Sequence, residues 1–166
     1  MTILETERLT LRKLTTEDAA FVLEMLNDPA FIRNVADRGV RTIADATAYI
    51  EQKHLPQYAQ FGFGFYLMEL KGGFLPIGMC GLMKRETRDD VDIGYSVLER
   101  FAGRGYAFEA ASAVLHYGRE VLRIPRIVGL TAPDNAVSIR LLEKLGLRYA
   151  GMVDLPGYDG PSKLFA

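Results

Sequence analysis

Cysteine is nearly absent from this chain. Cys80 is the single one in 166 residues, so neither an internal disulfide nor a cysteine-rich zinc site can form. Histidine is almost as scarce. His54 and His116 fall on separate predicted helices without a second ligand at i+4, so no metal site is expected and each reads as a surface or packing residue. An excess of either charge is also lacking. Lys and Arg number 20 against 21 Asp and Glu, for a formal net charge of −1, which offers no electrostatic reason to expect nucleic acid or an anionic membrane as a partner. No apolar run approaches the roughly 20 residues of a membrane span. The opening MTILETERLT has no apolar core of a secretion signal, and a soluble cytoplasmic protein is expected. Repeats, low-complexity tracts and Pro-, Gly- or Ser-rich linkers are missing as well. Residues 1–166 are therefore expected to form a single domain around one core.

What is present reads as alternating strands and helices. RLTLRKL, residues 8–14, alternates apolar and polar positions as a first strand. Thr15 or Thr16 caps a helix that ends near Asn27-Asp28-Pro29. A second helix, about 42–58, starts at Thr42 with Asp45 in its first turn and carries Ile43, Ala46, Ile50 and His54 along one stripe. FGFYLMEL and PIGMCGLMKR flank KGGFLP as an antiparallel hairpin, with Phe61, Phe63, Phe65 and Tyr66 reading as strand core or, for one or two of them, as the lining of an acceptor pocket, and with Cys80 buried. VDIGYSVL adds another antiparallel strand. A long helix at about 104–122, the strand RIVGLTA, a helix from Asp134 or Asn135 to Gly146, and the strands LRYAGMV and PSKLFA complete the chain. The order is β-α-α-β-β-β-α-β-α-β-β, an α/β (α+β) fold with a mixed sheet and helices on its faces.

One junction carries chemistry. In SVLERFAGRGYAFEA, residues 96–110, a strand gives way to a helix through two glycines and two arginines. A helix N-terminus exposes unpaired N–H groups and about half a positive charge. Gly103 and Gly105 let the chain turn tightly and let a diphosphate approach the main chain, while Arg100 and Arg104 add charge. The alternative is a plain strand-to-helix turn with solvated arginines. Neither better known glycine loop is present: G-x-x-x-x-G-K-[ST] does not occur, and Phe108 or Glu109 stands where the third glycine of G-x-G-x-x-G would fall.

The segment IGYSVLERFAGRGYAFEA resembles the acyl-coenzyme A binding motif of the GNAT family of N-acetyltransferases, whose R/Q-x-x-G-x-G/A turn holds the coenzyme pyrophosphate. NAVSIRLLEKLGL resembles the next strand-helix block of that family, N-x-x-S-x-x-L-x-x-K-x-G-F. TERLTLRKLTTEDAAFVLEMLNDP resembles the N-terminus of its RimJ/RimL-type branch, enzymes that acetylate ribosomal-protein N-termini, and their relatives.

The resemblance implies a GNAT fold whose central, mostly antiparallel sheet splays between its fourth and fifth strands. The pantetheine arm of acetyl-CoA would fill that gap, against Val97 and Leu98. The pyrophosphate would sit on the N–H groups of about Phe101 to Tyr106, and an N–H near Val97 would polarise the thioester carbonyl. Asn135 and Ser138 match the residues that face the pantetheine and thiol, although Asn135 equally reads as a helix N-cap and Ser138 as a first-turn hydrogen-bonding residue. Asp92 matches the acidic position of the E-I-G-Y segment and is the candidate base, its alternative being a surface carboxylate beside Asp89 and Asp90. Tyr95 is expected on the same strand face as Asp92, orienting substrate or packing. Where many members have a tyrosine that protonates the thiolate, this chain has Leu142. The implied activity is direct acetyl transfer from acetyl-CoA to a primary amine, a protein N-terminus or a small molecule, in a ternary complex. The alternative is a non-catalytic acyl-CoA-binding regulator of the same fold. The loops NVADRGVR and DLPGYDGPS would rim the acceptor cleft, and a monomer or homodimer is expected.

Overall fold

Period-two alternation brings Leu9 and Leu11 of strand β2 (Leu9–Lys13) to one buried face. The computed structural model, which describes residues 2–166, pairs β2 with β1 (Thr2–Glu5) at the margin of an eight-stranded sheet. The other strands are β3 (Phe65–Leu70), β4 (Leu75–Lys84), β5 (Val91–Val97), β6 (Ile127–Thr131), β7 (Tyr149–Val153) and β8 (Ser162–Phe165). Their spatial order is β1-β2-β3-β4-β5-β6-β8-β7. Every neighbouring pair is antiparallel except β5 and β6, which are parallel.

Helices start where the caps foretell. Thr15 and Asp18 form a capping box over a 3₁₀ turn, Thr16–Asp18, that leads into α1 (Ala19–Leu26). Thr42 and Asp45 form a second box at the start of α3 (Ile43–Tyr49). The same helical run passes through a π-helical segment, Ile50–His54, into α4 (Leu55–Phe61), and stops at Gly62 with φ of 78°. Pro56 accounts for the wider turn, because its ring clashes with the carbonyl four residues back and it donates no hydrogen bond. Between α1 and α3 lies α2 (Pro29–Asn34), and the second half of the chain adds α5 (Tyr106–Glu120) and α6 (Ala136–Lys144).

These helices divide between the two faces of the sheet. On one face α5 and α6 bury Ala110, Ala111, Val114, Leu115 and Leu142 against Leu9, Leu11, Tyr66, Met68, Leu82 and Ile93. On the other, α1 and α3 bury Val22, Met25 and Ala46 with Ile50 against Leu67 and Met79. Each apolar side chain taken fully from water contributes roughly 1.5–3 kcal/mol, so both layers hold the sheet. Among the described residues no helix is long and apolar enough to cross a membrane.

The mixed sheet and the order of the predicted elements are observed, with two additions. β1 and α2 were not foreseen, so the sheet has eight strands rather than seven. Of the expected helical stripe, Ala46, Ile50 and His54 are buried, but Ile43 is half exposed.

Candidate active site

The sheet opens between β5 and β6. Their parallel register runs Val91↔Ile127, Asp92↔Val128 and Ile93↔Gly129, and there it stops, while β5 continues along β4 to Val97. These are the fourth and fifth of the predicted strands. The Leu98 N–H donates to the Ile77 carbonyl at 2.8 Å, which sets the phase of the β4–β5 ladder. By the alternation of an antiparallel ladder, the main-chain N–H and C=O groups of Tyr95 and Val97 face away from β4 and into the opening.

Beyond Val97 the chain makes a 3₁₀ turn, Glu99–Phe101, and reaches α5 through two left-handed glycines. Gly103 has φ of 76° and Gly105 of 82°, and Arg104 between them keeps a negative φ. Alternating hands of this kind turn successive N–H groups toward one point, a concave anion site. Among the described residues, no backbone or side-chain acceptor takes the N–H groups from Gly103 to Phe108. Six orphan donors therefore stand at the positive end of a 15-residue helix. A Cβ on Gly103 would meet nothing within 4 Å, and one on Gly105 would meet Arg8 Nη2 at 3.3 Å.

The two arginines of the turn differ in their partners. Arg100 lies on the surface and pairs with Glu24 of α1 at 3.1 Å, whereas Arg104, with no carboxylate partner among the described residues, donates through Nη2 to the Arg100 carbonyl at 3.5 Å and lies 5.8 Å from the Phe101 ring centre. Arg8 also reaches the loop, its own charge balanced by Glu109. Its guanidinium lies 4.4 Å over the Tyr106 ring, donates through Nη1 to the Arg104 carbonyl at 3.0 Å and pairs through Nε with Glu109 at 2.7 Å. Glu109 also accepts from the Arg8 main-chain N–H and the Thr6 hydroxyl, tying the β1–β2 turn to the first turn of α5. Arg8 lies within the N-terminal block TERLTLR, but only the fold brings it to the glycines.

At the start of α6 the Asn135 side chain accepts the Ser138 N–H at 3.2 Å, so its N-cap reading is realised. The Ser138 hydroxyl is 2.7 Å from the Tyr95 hydroxyl. Burial pushes the Tyr95 phenol up to about 12, so it stays protonated and able to donate near neutral pH. Tyr95 does not share the face of Asp92. The two are three residues apart on β5, an odd spacing that puts them on opposite faces. Leu142 is fully buried against Gly129, where a Cβ would come within 2.4 Å of it, and it has no proton to give.

Asp92 occupies the other face with Gly94 and Ser96. It is 5% exposed rather than a surface carboxylate, and accepts from Arg85 Nε at 3.1 Å and Nη2 at 3.4 Å. Burial raises its carboxyl above the ordinary value, with Arg85 opposing. Its neighbour Asp90 is taken by Arg88 at 2.8 Å and Arg126 at 3.6 Å.

Around Asp92 stands a group of side chains that sequence reasoning missed. Tyr158 lies between Arg38 and Arg85, each guanidinium 5.8 Å from its ring centre, and its hydroxyl accepts from Arg38 Nη2 at 3.3 Å. Burial pushes the Tyr158 phenol up, but Arg85 and Arg38 outweigh it and hold it below its ordinary value. The Phe65 ring lies against Gly94, where a Cβ would come within 2.5 Å of it. His54 packs 5.9 Å from Phe65 and 5.5 Å from Tyr49. The loops NVADRGVR and DLPGYDGPS thus meet, through Arg38 and Tyr158, on the carboxylate side of the opening. Cys80 is fully buried with its thiol raised, which makes it unreactive. Among the described residues no group of three or more His, Cys, Asp or Glu is placed to hold a metal ion.

Comparison with known proteins agrees with this geometry. Residues 8–148 match the sequence model of the acetyltransferase (GNAT) domain. Over 146 residues the chain is 28% identical to the uncharacterized N-acetyltransferase YnaD of Bacillus subtilis, covering 88% of this chain and 82% of the relative. The fold matches the crystal structure of an acetyltransferase from Agrobacterium tumefaciens with a TM-score of 0.79 at 26% identity, over 99% of this chain and 93% of the other. It also matches RimL, a ribosomal alpha-N-protein acetyltransferase in complex with coenzyme A, with a TM-score of 0.82, over 99% and 96% of the two chains. At 16% identity that last likeness is one of fold alone.

Proposed function

Since the chain belongs to the GNAT acetyltransferase family, we propose that it moves an acetyl group from acetyl-CoA directly to a primary amine held with it in a ternary complex. The observation that carries this reading is the row of unpaired N–H groups from Gly103 to Phe108 beside the opening in the sheet. The residues fit the donor: six N–H groups for a diphosphate, and the outward main-chain groups of Tyr95 and Val97 for the amides of a pantetheine arm. Acetyl-CoA supplies a thioester already activated toward amines.

The chain's own residues then have four tasks. Gly103 to Phe108 hold the diphosphate and fix the donor's depth in the opening. The Val97 N–H donates to the thioester oxygen as negative charge develops there. Asp92, from the opposite face, takes the proton of the attacking ammonium through water, and its raised carboxyl makes it a better base than an exposed aspartate. Ser138, whose hydroxyl is hydrogen-bonded to that of Tyr95, donates its own proton toward the departing sulfur, the task for which Leu142 has no group. Nitrogen attacks the carbonyl carbon, the C–S bond breaks, and the second proton lost by nitrogen replaces the one Ser138 gives to sulfur, so that the thiol leaves protonated and the serine is restored. Holding amine and thioester together supplies much of the rate. The acceptor is an amine of a peptide N-terminus or a small molecule, in a protein read as one domain, cytoplasmic, and monomeric or dimeric.

The test is calorimetric titration with acetyl-CoA of the unaltered protein, Gly105→Ala and Gly105→Val, followed by thiol release with a panel of amines. A side chain at a positive φ, among the orphan donors, should weaken binding at least tenfold with the circular dichroism spectrum retained. Unchanged affinity would sink the diphosphate assignment. Binding without thiol release from any amine would favour a non-catalytic acyl-CoA module.

A further inference from the structure

Arg38 is the unbalanced charge on the acceptor side. Its loop is braced independently of it: Arg41 pairs with Asp37 at 2.6 Å and donates to Asn27 at 2.8 Å, and Asn27 donates to the Val40 carbonyl at 2.8 Å. Asp37 also accepts the Gly39 N–H at 2.9 Å. The adjacent carboxylate is therefore occupied, and Arg38 projects from a fixed turn onto Tyr158.

Arg85 reaches the same phenol from the opposite loop. Arg85 has Asp92 as its counter-charge, whereas among the described residues Arg38 has no carboxylate within 4 Å. The exposed Asp154 and Asp159 lie on the Tyr158 loop, yet neither pairs with Arg38 or Arg85. Two guanidinium groups against one phenol repel each other, and a partner anion would offset that cost. The planar fork of a guanidinium matches a carboxylate through two parallel hydrogen bonds. The depressed phenol of Tyr158 is consistent with a positive potential at this place.

The charges are also sorted along the cleft. Asp92 is buried beside the start of the opening and Arg38 is exposed, and the contacts Asp92–Arg85, Arg85–Tyr158 and Tyr158–Arg38 link the two. A ligand with an ammonium inside and a carboxylate outside would complement both ends. We propose, resting on the acetyltransferase reading of this site, that the acceptor is an amine bearing a carboxylate, which Arg38 binds beside Tyr158. That chemistry has two sources, a free amino acid and a peptide whose acidic side chain lies near its N-terminus.

The test uses matched acceptors with the acetyl-CoA-loaded protein, read by thiol release: amino acids against their amides, and tripeptides with Asp or Glu at the second position against Asn or Gln. Carboxylate members should be preferred at least tenfold in kcat/KM, about 1.4 kcal/mol. Whichever series turns over names the source. In Arg38→Ala that preference should collapse through KM, with acetyl-CoA affinity by calorimetry unchanged, and Arg38→Lys should restore part of it. Equal use of charged and uncharged acceptors would overturn the proposal while leaving the acetyltransferase reading intact. Retention of the preference in Arg38→Ala would overturn it too, as would weakened acetyl-CoA binding, which would place Arg38 on the donor. Absence of thiol release with every amine would refute the parent reading and this proposal with it.

Discussion

His54 should make the protein acid-labile in a pH range where carboxylates contribute little. It is 3% exposed, packed between Tyr49 and Phe65, and burial pushes its imidazole down to about 4. In the unfolded chain the same group titrates near 6.5. Between those values the unfolded state binds a proton that the folded state refuses, so stability is fully present above about 6.5 and is lost as pH falls toward 4. A separation of about 2.5 units at 1.36 kcal/mol each gives a loss of about 3 kcal/mol by pH 4. Against a total of roughly 5–15 kcal/mol for a domain, that is a large fraction. Asp92 works in the opposite direction, because its raised carboxyl takes up a proton in the folded state first. It is present in every variant and cancels in a comparison. Urea unfolding of the unaltered protein, His54→Leu and His54→Gln at pH 7, 5.5 and 4, followed by circular dichroism, isolates the histidine. From pH 7 to 4 the unaltered protein should lose about 3 kcal/mol more than either variant, whatever stability each variant starts from. Parallel losses in all three would refute the reasoning.

Asp92→Asn should lower turnover without weakening acetyl-CoA binding. The loss should be largest at low pH, where little of the amine is already neutral, and a kcat/KM profile of unchanged shape would remove Asp92 as the base. Glu109→Gln keeps the shape of a side chain that accepts from the Thr6 hydroxyl and from the N–H and Nε of Arg8, but removes the charge that holds all three. It should cost about 1–3 kcal/mol in thermal unfolding, and an unchanged melting temperature would show that Glu109 does not anchor the β1–β2 turn.

The strands and caps that declared themselves did so through short-range rules. The boxes at Thr15 and Thr42 need only residues three apart, and the β3–β4 hairpin follows from a glycine-bearing turn between apolar runs. β1 is four residues without a buried side chain of its own and is a strand because β2 pairs with it. α2 begins at Pro29, a residue that equally ends the preceding helix, so the sequence Asn27-Asp28-Pro29 conceals a new start. The π-helical segment was missed because apolar spacing continued across Pro56 as though the helix were regular. Tyr95 was misplaced by counting, since a spacing of three along a strand reverses the face.

The two halves of the proposed site differ in kind, and that difference explains their unequal legibility. Donor recognition is assigned to backbone: orphan N–H groups at Gly103 to Phe108 and the unpaired edge of Tyr95 and Val97. Backbone that must turn left-handed twice within three residues calls for glycine at those positions, so the requirement is written locally as Gly103-x-Gly105. Acceptor recognition is assigned to the side chains of Arg38, Arg85, Asp92 and Tyr158, which come from separate segments and meet only across the folded sheet. No spacing within the chain relates them, and each alone reads as a solvated residue. Substitutions at Gly103 or Gly105 should therefore act on every acceptor alike, whereas changes at Arg38 or Tyr158 should redistribute activity among acceptors at constant affinity for acetyl-CoA.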